Sequence, residues 1–488
     1  MKGRLRKLLQ KLQFPLILGL ILALIVSTNL FFACTKQLSA STDQPIILRL
    51  ATPSSERDAL MPLIEEFQEN NKNIKIVIVK NNTDNTDSLK EQNRKSLIGK
   101  TEEKLDLIYM DSVWLTEFAS QGWLMELTDS WFNDGFKRDE LEWFKFKNDE
   151  DFLKEMYYGK GLYRIPFRTD VGVLFYRKDW LTDKNLSEPK TFDDLNNISQ
   201  QLKQNLDIKY PDMKYSYLWQ DKFYEGLVVT FFEVLYNYGG FWIDRSNKTV
   251  GLSSNSDGVI EAIEFLRNTY QNLENESTYE NNTSRSSRNS NDEDATRRPK
   301  DEDATRRAFE NNEAVSMRNW PKTWREINND EPFSDKFGIT SVVSREKDKP
   351  GYACRGGWGF GIANNSLYKK EALLAIKFFT SAASQQKFTL AYGSLPSRRS
   401  LFFDPKIVAS NSYYPMFLDI LENHSVPRPF IREYTKASCI LQNSLIKALD
   451  PKENDYKTVM DEAAQETQDL LNTGKYTGRY NNCREENG

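Results

Sequence analysis

The sequence predicts an α/β protein in which strands and helices alternate along most of the chain. Short runs rich in β-branched residues at 46–51, 74–79 and 105–110 are followed by segments whose apolar residues recur at helical spacing. This order is typical of βαβ units and a mostly parallel sheet. A long extended run at 163–180 follows. We interpret it as a crossing between two lobes, because Pro166 cannot donate to a central sheet ladder.

Three carboxylates stand where predicted strands end or cross. Asp170 interrupts the apolar crossing, Asp111 ends the third strand, and Glu56 lies in the turn between the first strand and its helix. In open α/β sheets ligands gather at the carboxyl edge, so these side chains are candidate ligand contacts. Two alternatives stay open. Asp170 could merely begin an ordinary strand, and Glu56 could serve as a favourable charge near a helix N-terminus.

The composition excludes several classes of function. The 488 residues include 66 basic and 70 acidic side chains, and this balance gives no reason to expect nucleic acid as a partner. His424 is the single histidine, so a hydrolase with an imidazole base and a zinc site with several histidines are both disfavoured. We expect no metal and no cofactor. Catalysis by carboxylates alone remains open.

The first 33 residues have the features of a lipoprotein signal peptide. A basic start precedes the uncharged apolar stretch 14–26, and Ala33-Cys34 looks like a lipobox. We expect cleavage before Cys34, a lipid on its sulfur, and a polar tether over 34–45. The chain would then be extracytoplasmic and anchored to the cell membrane, in the periplasm of a two-membrane bacterium. The alternative is an uncleaved membrane anchor.

Outside the cytosol the three remaining cysteines could form one disulfide and leave one thiol. We expect Cys354 to pair with Cys439, because Cys483 lies in a polar C-terminal tail.

An insertion rich in Asn, Ser, Glu and Arg interrupts the second half of the chain. Residues 272–300 contain too few apolar side chains to form a core, so we predict that they are disordered. The heptapeptide DEDATRR occurs at 292–298 and again at 301–307. We expect the second copy to belong to the fold, because it continues into an apolar segment.

Two tryptophans, a glycine and an arginine complete the set of candidate ligand contacts. Trp320 precedes a proline at a strand end, and Trp358 follows Gly357 in a glycine-rich segment that lets backbone approach a ligand. Arg428 stands between two prolines, which hold its backbone extended. The alternative for Trp320 is an ordinary core position.

This set of residues suits a neutral carbohydrate. Carboxylates and arginine hydrogen-bond to sugar hydroxyls, and indole rings stack on the apolar C–H face of a sugar. A carboxylate-dependent glycosidase or lyase would use similar residues, with two of the three carboxylates as acid and base. A surface adhesin without a small ligand is the third possibility.

The chain resembles the extracellular solute-binding proteins of ABC transporters, in their large sugar-binding class, and is most similar to the maltose/trehalose-binding branch. The resemblance extends from 46 to 471. It rests on blocks in the family's order: DLIYMDSVWLTEFASQGWL, TDVGVLFYRKDWL, YEGLVVTFFEVLYNYGG, RNWPKTW, GGWGFGI and VPRP.

The resemblance implies a two-lobed periplasmic-binding-protein fold of class II, in which each lobe is a mostly parallel sheet flanked by helices. Three hinge crossings, at 163–175, 356–363 and 392–401, would join an N-terminal lobe (46–168 and 357–394) to a C-terminal lobe (169–356 and 395–488). Matching the family's motifs residue by residue implies sugar contacts at Glu56, Asp111, Asp170, Trp320, Gly357, Trp358 and Arg428.

Two side chains depart from the family pattern near the expected cleft. Lys322 and Arg168 stand where this branch tends to have aromatic residues, so they could change which sugar fits. We predict a monomeric, non-enzymatic binding protein that captures an α-linked disaccharide or glucosyl compound by hinge closure and delivers it to an ABC permease.

Overall fold

The computed structural model describes residues 45–80, 83–128, 150–204, 209–244, 246, 248–270, 301–328, 333 and 335–483. The predicted signal peptide, Cys34 and the insertion 272–300 lie outside the described residues. By its internal contacts the chain divides into two units, one of residues 1–47 with 71–75 and the other of 48–70 with 76–488. The site described below lies within the second unit.

The strands follow one another as β1 (Ile46–Leu50), β2 (Ile74–Ile78), β3 (Leu107–Asp111), β4 (Tyr157–Tyr158), β5 (Gly161–Leu162), β6 (Ile165–Val171), β7 (Val173–Arg177), β8 (Tyr215–Leu218), β9 (Ile243–Asp244), β10 (Thr249–Val250), β11 (Ala314–Asn319), β12 (Phe337–Ser341), β13 (Ala353–Ile362), β14 (Leu395–Pro396) and β15 (Ser425–Pro427).

The helices are α1 (Arg57–Asn70), α2 (Thr86–Leu97), α3 (Leu115–Ser120), α4 (Glu150–Lys154), α5 (Lys178–Asp183), α6 (Phe192–Lys203), α7 (Glu225–Asn237), α8 (Val259–Asn268), α9 (Glu302–Glu310), α10 (Lys322–Asn328), α11 (Lys369–Phe379), α12 (Ala382–Tyr392), α13 (Pro405–Ser410), α14 (Tyr414–Asn423), α15 (Tyr434–Ala448) and α16 (Tyr456–Thr473).

Two larger sheets organise these strands. The seven-stranded sheet has the order β14-β6-β13-β3-β1-β2, with β15 also paired to β13, and the four-stranded sheet has the order β12-β7-β11-β8. Both sheets are mixed. In the seven-stranded sheet β13 runs antiparallel to β3 and β6 while β1 and β3 are parallel, and in the four-stranded sheet β11 is antiparallel to β7 and parallel to β8. The sheets therefore contain more antiparallel pairing than the βαβ pattern of the sequence predicts.

The chain passes from one sheet to the other at Gly172, between β6 and β7, inside the segment predicted as the first crossing. It returns between β12 and β13. The predicted second crossing, 356–363, instead lies almost entirely in β13, a ten-residue strand of the seven-stranded sheet that is buried throughout. The predicted third crossing contains β14, which pairs with β6 in that same sheet.

Two segments that the sequence distinguishes form helices, and the second of them confirms a prediction. The aromatic segment that begins at Tyr224 forms α7, and the side chains from Glu225 to Leu235 are all buried. The second copy of DEDATRR forms most of α9, which Asp301 caps by accepting a hydrogen bond from the Ala304 amide.

The predicted disulfide is wrong. Cys439 in α15 pairs with Cys483, with their Cα atoms 5.6 Å apart, and Cys354 is a free, buried thiol in the seven-stranded sheet. The C-terminal tail lies against α15 instead of fraying, since the hydroxyl groups of Tyr480 and Ser444 are 3.1 Å apart. The polar composition of the tail was therefore a poor reason to exclude Cys483 from the disulfide.

Within the described residues, no helix combines the length and apolar composition needed to cross a membrane.

Candidate functional site

One cavity of about 330 Å³ brings all seven predicted ligand contacts together. They are Glu56, Asp111, Asp170, Trp320, Gly357, Trp358 and Arg428. The seven-stranded sheet supplies Asp111, Asp170, Gly357 and Trp358, while Trp320 directly follows β11 of the four-stranded sheet. The cavity is therefore lined from both sheets.

Strand register explains how distant parts of the sequence meet at this cavity. Trp358 in β13 lies opposite Asp111 in β3 on one side and opposite Arg168 in β6 on the other, so these three residues form one row across the sheet. Gly356 lies opposite Asp170 in the same pairing. Directly opposed residues point to the same face, so this row places a guanidinium, an indole and a carboxylate side by side.

Arg168 is the centre of the first charged cluster. Its guanidinium donates to Glu56 Oε1 at 2.6 Å and to Asp170 Oδ2, and its Nε donates to the Tyr109 hydroxyl at 3.3 Å. The Tyr109 hydroxyl in turn donates to Glu56 Oε2 at 2.6 Å. Burial raises the pKa of Tyr109 well above its usual value, so this hydroxyl stays a donor. Both oxygens of Glu56 therefore already have protein partners.

Asp170 differs from Glu56 because one of its oxygens has no hydrogen-bond partner among the described residues. None of the described groups donates to its buried Oδ1. Burial raises the pKa of Asp170 from 3.8 to about 6, even though the nearby Arg168 lowers it. We attribute the raised pKa of Asp170 to burial and to the sharing of the Arg168 guanidinium between two carboxylates. A buried acceptor without a donor is suited to receive a hydroxyl from a ligand.

Arg428 is the centre of a second charged cluster. It donates to both oxygens of Asp111 at 2.9 Å and to Glu225 at 2.7 Å, and it is 2% exposed. Glu225 also accepts from the hydroxyl groups of Tyr434 and Ser438, the latter at 2.7 Å. Since α7 begins at Glu225 and β3 ends at Asp111, Arg428 joins two elements that are far apart in sequence.

The two tryptophans have unequal roles. Trp358 is 6% exposed and packs against Trp114 and Tyr109, with ring centroids 5.3 and 5.1 Å away. Trp320 is half-buried, and a Cβ placed on Gly356 would lie 3.7 Å from its ring. Trp320 therefore offers more ring surface to the cavity, whereas Trp358 mainly belongs to its aromatic floor.

The backbone at Gly357 also lines the cavity, but its carbonyl oxygen already accepts a hydrogen bond from Arg164 at 2.9 Å.

The two residues that depart from the family pattern both line the cavity. Arg168 forms the cluster described above, and Lys322 donates to Glu326 at 3.0 Å while its ammonium lies 5.4 Å from the Tyr392 ring centroid. Both cations lie near Tyr392, since the Arg168 guanidinium is 5.9 Å from the same ring centroid.

Sequence reasoning did not select four side chains that belong to this site: Glu225, Glu302, Tyr224 and Tyr392. Glu225 and Tyr224 begin a helix that the sequence presents as a packing element. Tyr392 ends α12 and is the first residue of the predicted third crossing, and its hydroxyl lies 3.1 Å from that of Ser55. Its place at the start of a predicted crossing was the signal that could have identified Tyr392.

Across the described ranges, no group of three or more His, Cys, Asp or Glu side chains could hold a metal ion.

Sequence comparison identifies a family. Residues 53–386 match the family model described as bacterial extracellular solute-binding protein. A probable ABC transporter-binding protein of Deinococcus radiodurans is 24% identical over 274 residues, which are 56% of this chain and 59% of that protein. The chain therefore spans less than two thirds of the length of this curated relative.

Solved structures share the fold. The maltose-bound MalE3 of T. maritima is 25% identical with a TM-score of 0.72, covering 88% of this chain and all of that one. A solute-binding protein of an ABC transporter from Thermotoga lettingae, bound with α-D-tagatose, is 18% identical with a TM-score of 0.70 and the same coverage. These likenesses confirm the predicted two-lobed α/β fold of the periplasmic binding proteins. Because the family model matches more than two thirds of this chain, the chain belongs to the bacterial extracellular solute-binding proteins.

Proposed function

We propose that this chain is the lipid-anchored substrate-binding subunit of an ABC sugar importer, with an α-linked disaccharide or glucosyl compound as its ligand. Trehalose, maltose, sucrose and glucosylglycerol are the compounds that we consider. The observation that carries the proposal is the meeting of all seven expected contacts around one cavity that both sheets line. The protein would bind the sugar by closing its lobes and deliver it to the permease.

The chemistry of the cavity favours a neutral polyol. Asp170 Oδ1 accepts from no donor in the described part of the chain, Trp320 is half-buried, and the guanidinium groups of Arg168 and Arg428 line the wall. A volume of about 330 Å³ lies at the lower end of the range of roughly 300–1,000 Å³ for small-molecule sites, which supports a compact ligand. The similar T. maritima protein, described as maltose-bound, supports the same class.

The arginine pairs favour binding over hydrolysis. A carboxylate glycosidase needs one acid that is protonated and one that can approach the sugar. Glu56 and Asp111 each have partners at both oxygens, and in each case an arginine is among them. An ion pair of this kind holds a carboxylate in place and occupies the oxygens that would have to approach the sugar. We therefore favour a protein that returns its ligand unchanged.

A titration of the folded domain with the four sugars tests the proposal. We expect one of them to change the intrinsic fluorescence saturably, because Trp320 and Trp358 line the cavity. Trp320→Ala should weaken the affinity for that sugar at least tenfold, since stacking on an aromatic ring and the contact area beneath it are both lost. Full affinity in this variant would remove Trp320 from the site.

Recovery of the sugar after incubation separates the two functions. We expect chromatography to return all of it intact. Turnover of a chromogenic α-glucoside that is lost on Asp111→Asn would instead support the glycosidase.

Incorporation of radiolabelled palmitate tests the lipid anchor. The wild-type chain should incorporate the label and Cys34→Ala should not.

A further inference from the structure

Glu302, the first residue of α9, connects two aromatic side chains of the cavity. Its Oε1 accepts from Trp320 Nε1 at 3.2 Å, and its Oε2 accepts from the Tyr224 hydroxyl at 2.6 Å. We propose that Glu302 is a positioning residue that fixes the orientation of the Trp320 indole, and thereby the affinity for the sugar. The second part of this inference rests on the proposed function.

Two groups hold the indole, and they restrict different motions. The Arg318 guanidinium lies 4.0 Å from the ring centroid and is itself held by two hydrogen bonds of 2.8 Å to Glu233. A cation over the face restrains tilting of the ring, but it does not fix rotation within the ring plane. The hydrogen bond from Nε1 to Glu302 acts at the ring edge and fixes that rotation. Together they leave one orientation for the face that the cavity exposes.

Tyr224 anchors Glu302 in turn. Burial, followed by the nearby Glu302, raises the pKa of Tyr224 well above its usual value, so its hydroxyl remains a donor at any physiological pH. Tyr224 directly precedes α7, whose first residue, Glu225, accepts from Arg428. The tryptophan platform and the second charged cluster are therefore tied to the start of the same helix through Glu302.

The backbone around Glu302 has supports that do not depend on its side chain. Asn319 Nδ2 donates to the Glu302 carbonyl at 3.0 Å, and Asn319 Oδ1 accepts from the Trp320 amide at 2.9 Å. Asp301 caps the helix through the Ala304 amide. Truncation of Glu302 should therefore release the indole and leave α9 and β11 in place.

Fluorine NMR of protein labelled with 5-fluorotryptophan tests the orientation without any sugar. Trp320→Phe assigns the resonance, because that one signal disappears. We expect Glu302→Ala to shift or broaden the Trp320 resonance and Glu302→Gln to restore it, since a carboxamide can accept from the indole and donate to Tyr224. Glu65→Ala removes an exposed acid from α1 and should change nothing. An unchanged Trp320 signal in Glu302→Ala would overturn the inference.

A double-mutant cycle tests the consequence for binding, with maltose as the probe. Loss of a hydrogen bond to a charged group predicts that Glu302→Ala weakens the affinity about tenfold in the wild-type background. In the Trp320→Phe background the same change should have less than about a twofold effect, because phenylalanine has no ring donor. Equal effects in both backgrounds would overturn the link. Absence of wild-type binding to all four sugars would reject the proposed function, and the fluorine signal would still decide the positioning role.

Discussion

The three carboxylates that the sequence predicts as ligand contacts divide into two kinds. Glu56 and Asp111 have their oxygens engaged by Arg168, Tyr109 and Arg428, so they orient donors and do not need to touch a ligand themselves. Asp170 keeps a buried oxygen without a donor in the described part of the chain. We therefore expect Asp170 to be the carboxylate that contacts a hydroxyl directly.

Substitution of Asp170 by asparagine should change how stability depends on pH. Burial raises the pKa of Asp170 from 3.8 to about 6, so between these values the folded chain binds more protons than the unfolded chain. The contribution of Asp170 to stability is then highest below about pH 4, falls as pH rises towards 6, and is constant above it. The full rise in pKa corresponds to about 3 kcal/mol.

Urea unfolding of wild type and Asp170→Asn at several pH values measures this contribution. The difference in free energy of unfolding between the two proteins should move by about 2 kcal/mol between pH 4 and 6.5, in favour of the variant as pH rises. Asp87, whose pKa burial also raises to about 6, is present in both proteins and cancels. A difference that does not vary with pH would contradict the raised pKa of Asp170.

The sequence predicted where the carboxylates lie but not which arginines pair with them. The expectation that carboxylates at strand ends meet at one sheet edge needs only the parallel arrangement of β1 and β3. The partner of Asp170 could have been found, because Arg168 is two residues away and alternate residues of a strand share a face. The contacts of Arg428 with Glu225 and Asp111 could not have been found, because they depend on packing between residues 203 and 317 positions apart in the sequence.

The crossing from β6 to β7 depends on a glycine. A Cβ on Gly172 would lie 1.9 Å from Glu233 Oε1 and 2.7 Å from an Arg318 nitrogen, so this buried ion pair occupies the space of a side chain. The same Glu233 oxygen accepts from the Cys354 amide at 2.9 Å. The pair thus joins β11, α7 and β13 at the point where the chain changes sheets.

Gly172→Ala should therefore destabilise the fold strongly. The methyl group would displace Glu233 from Arg318, and disruption of a buried ion pair costs about 3–5 kcal/mol. Gly356→Ala is a matched control on β13, where the nearest atoms to an added Cβ are 3.7 Å away, and it should cost less than about 1 kcal/mol. Urea unfolding measures both changes. Similar stabilities for the two variants would contradict this account of the crossing.

At the level of elements, the prediction differs most from the structure at β13. The family resemblance implied a crossing here and the glycines were interpreted as letting backbone approach a ligand, but Gly359 serves close approach between strands. A Cβ on Gly359 would lie 2.5 Å from the carbonyl oxygen of Ile165 in β6, and the register shifts between Trp358 and Gly359. Sequence alone does not distinguish a glycine needed for a hinge from one needed for close packing, because both require a missing side chain.

Across the whole molecule, the C-terminal tail is tied to the helix that supports the binding site. Cys439 follows Ser438 directly in α15, and Ser438 and Tyr434 both donate to Glu225 in the second charged cluster. The disulfide to Cys483 closes a loop with a sequence separation of 44. A loop of this length predicts a contribution to stability of about 3–4 kcal/mol, mainly through the unfolded chain.

Thermal unfolding of the domain from Thr35 onward, with and without a reducing agent, tests this pairing. Reduction should lower the melting temperature of wild type and have no effect on Cys483→Ser, which already lacks the disulfide. Cys354→Ala should keep the full sensitivity of wild type to reduction, because its thiol is free. Loss of that sensitivity in Cys354→Ala would instead support the pairing of Cys354 with Cys439 and would contradict the attachment of the tail to α15. Sugar affinity should stay within about twofold in Cys483→Ser, because Ser438 and Tyr434 retain their bonds to Glu225 and the disulfide acts chiefly on the unfolded chain.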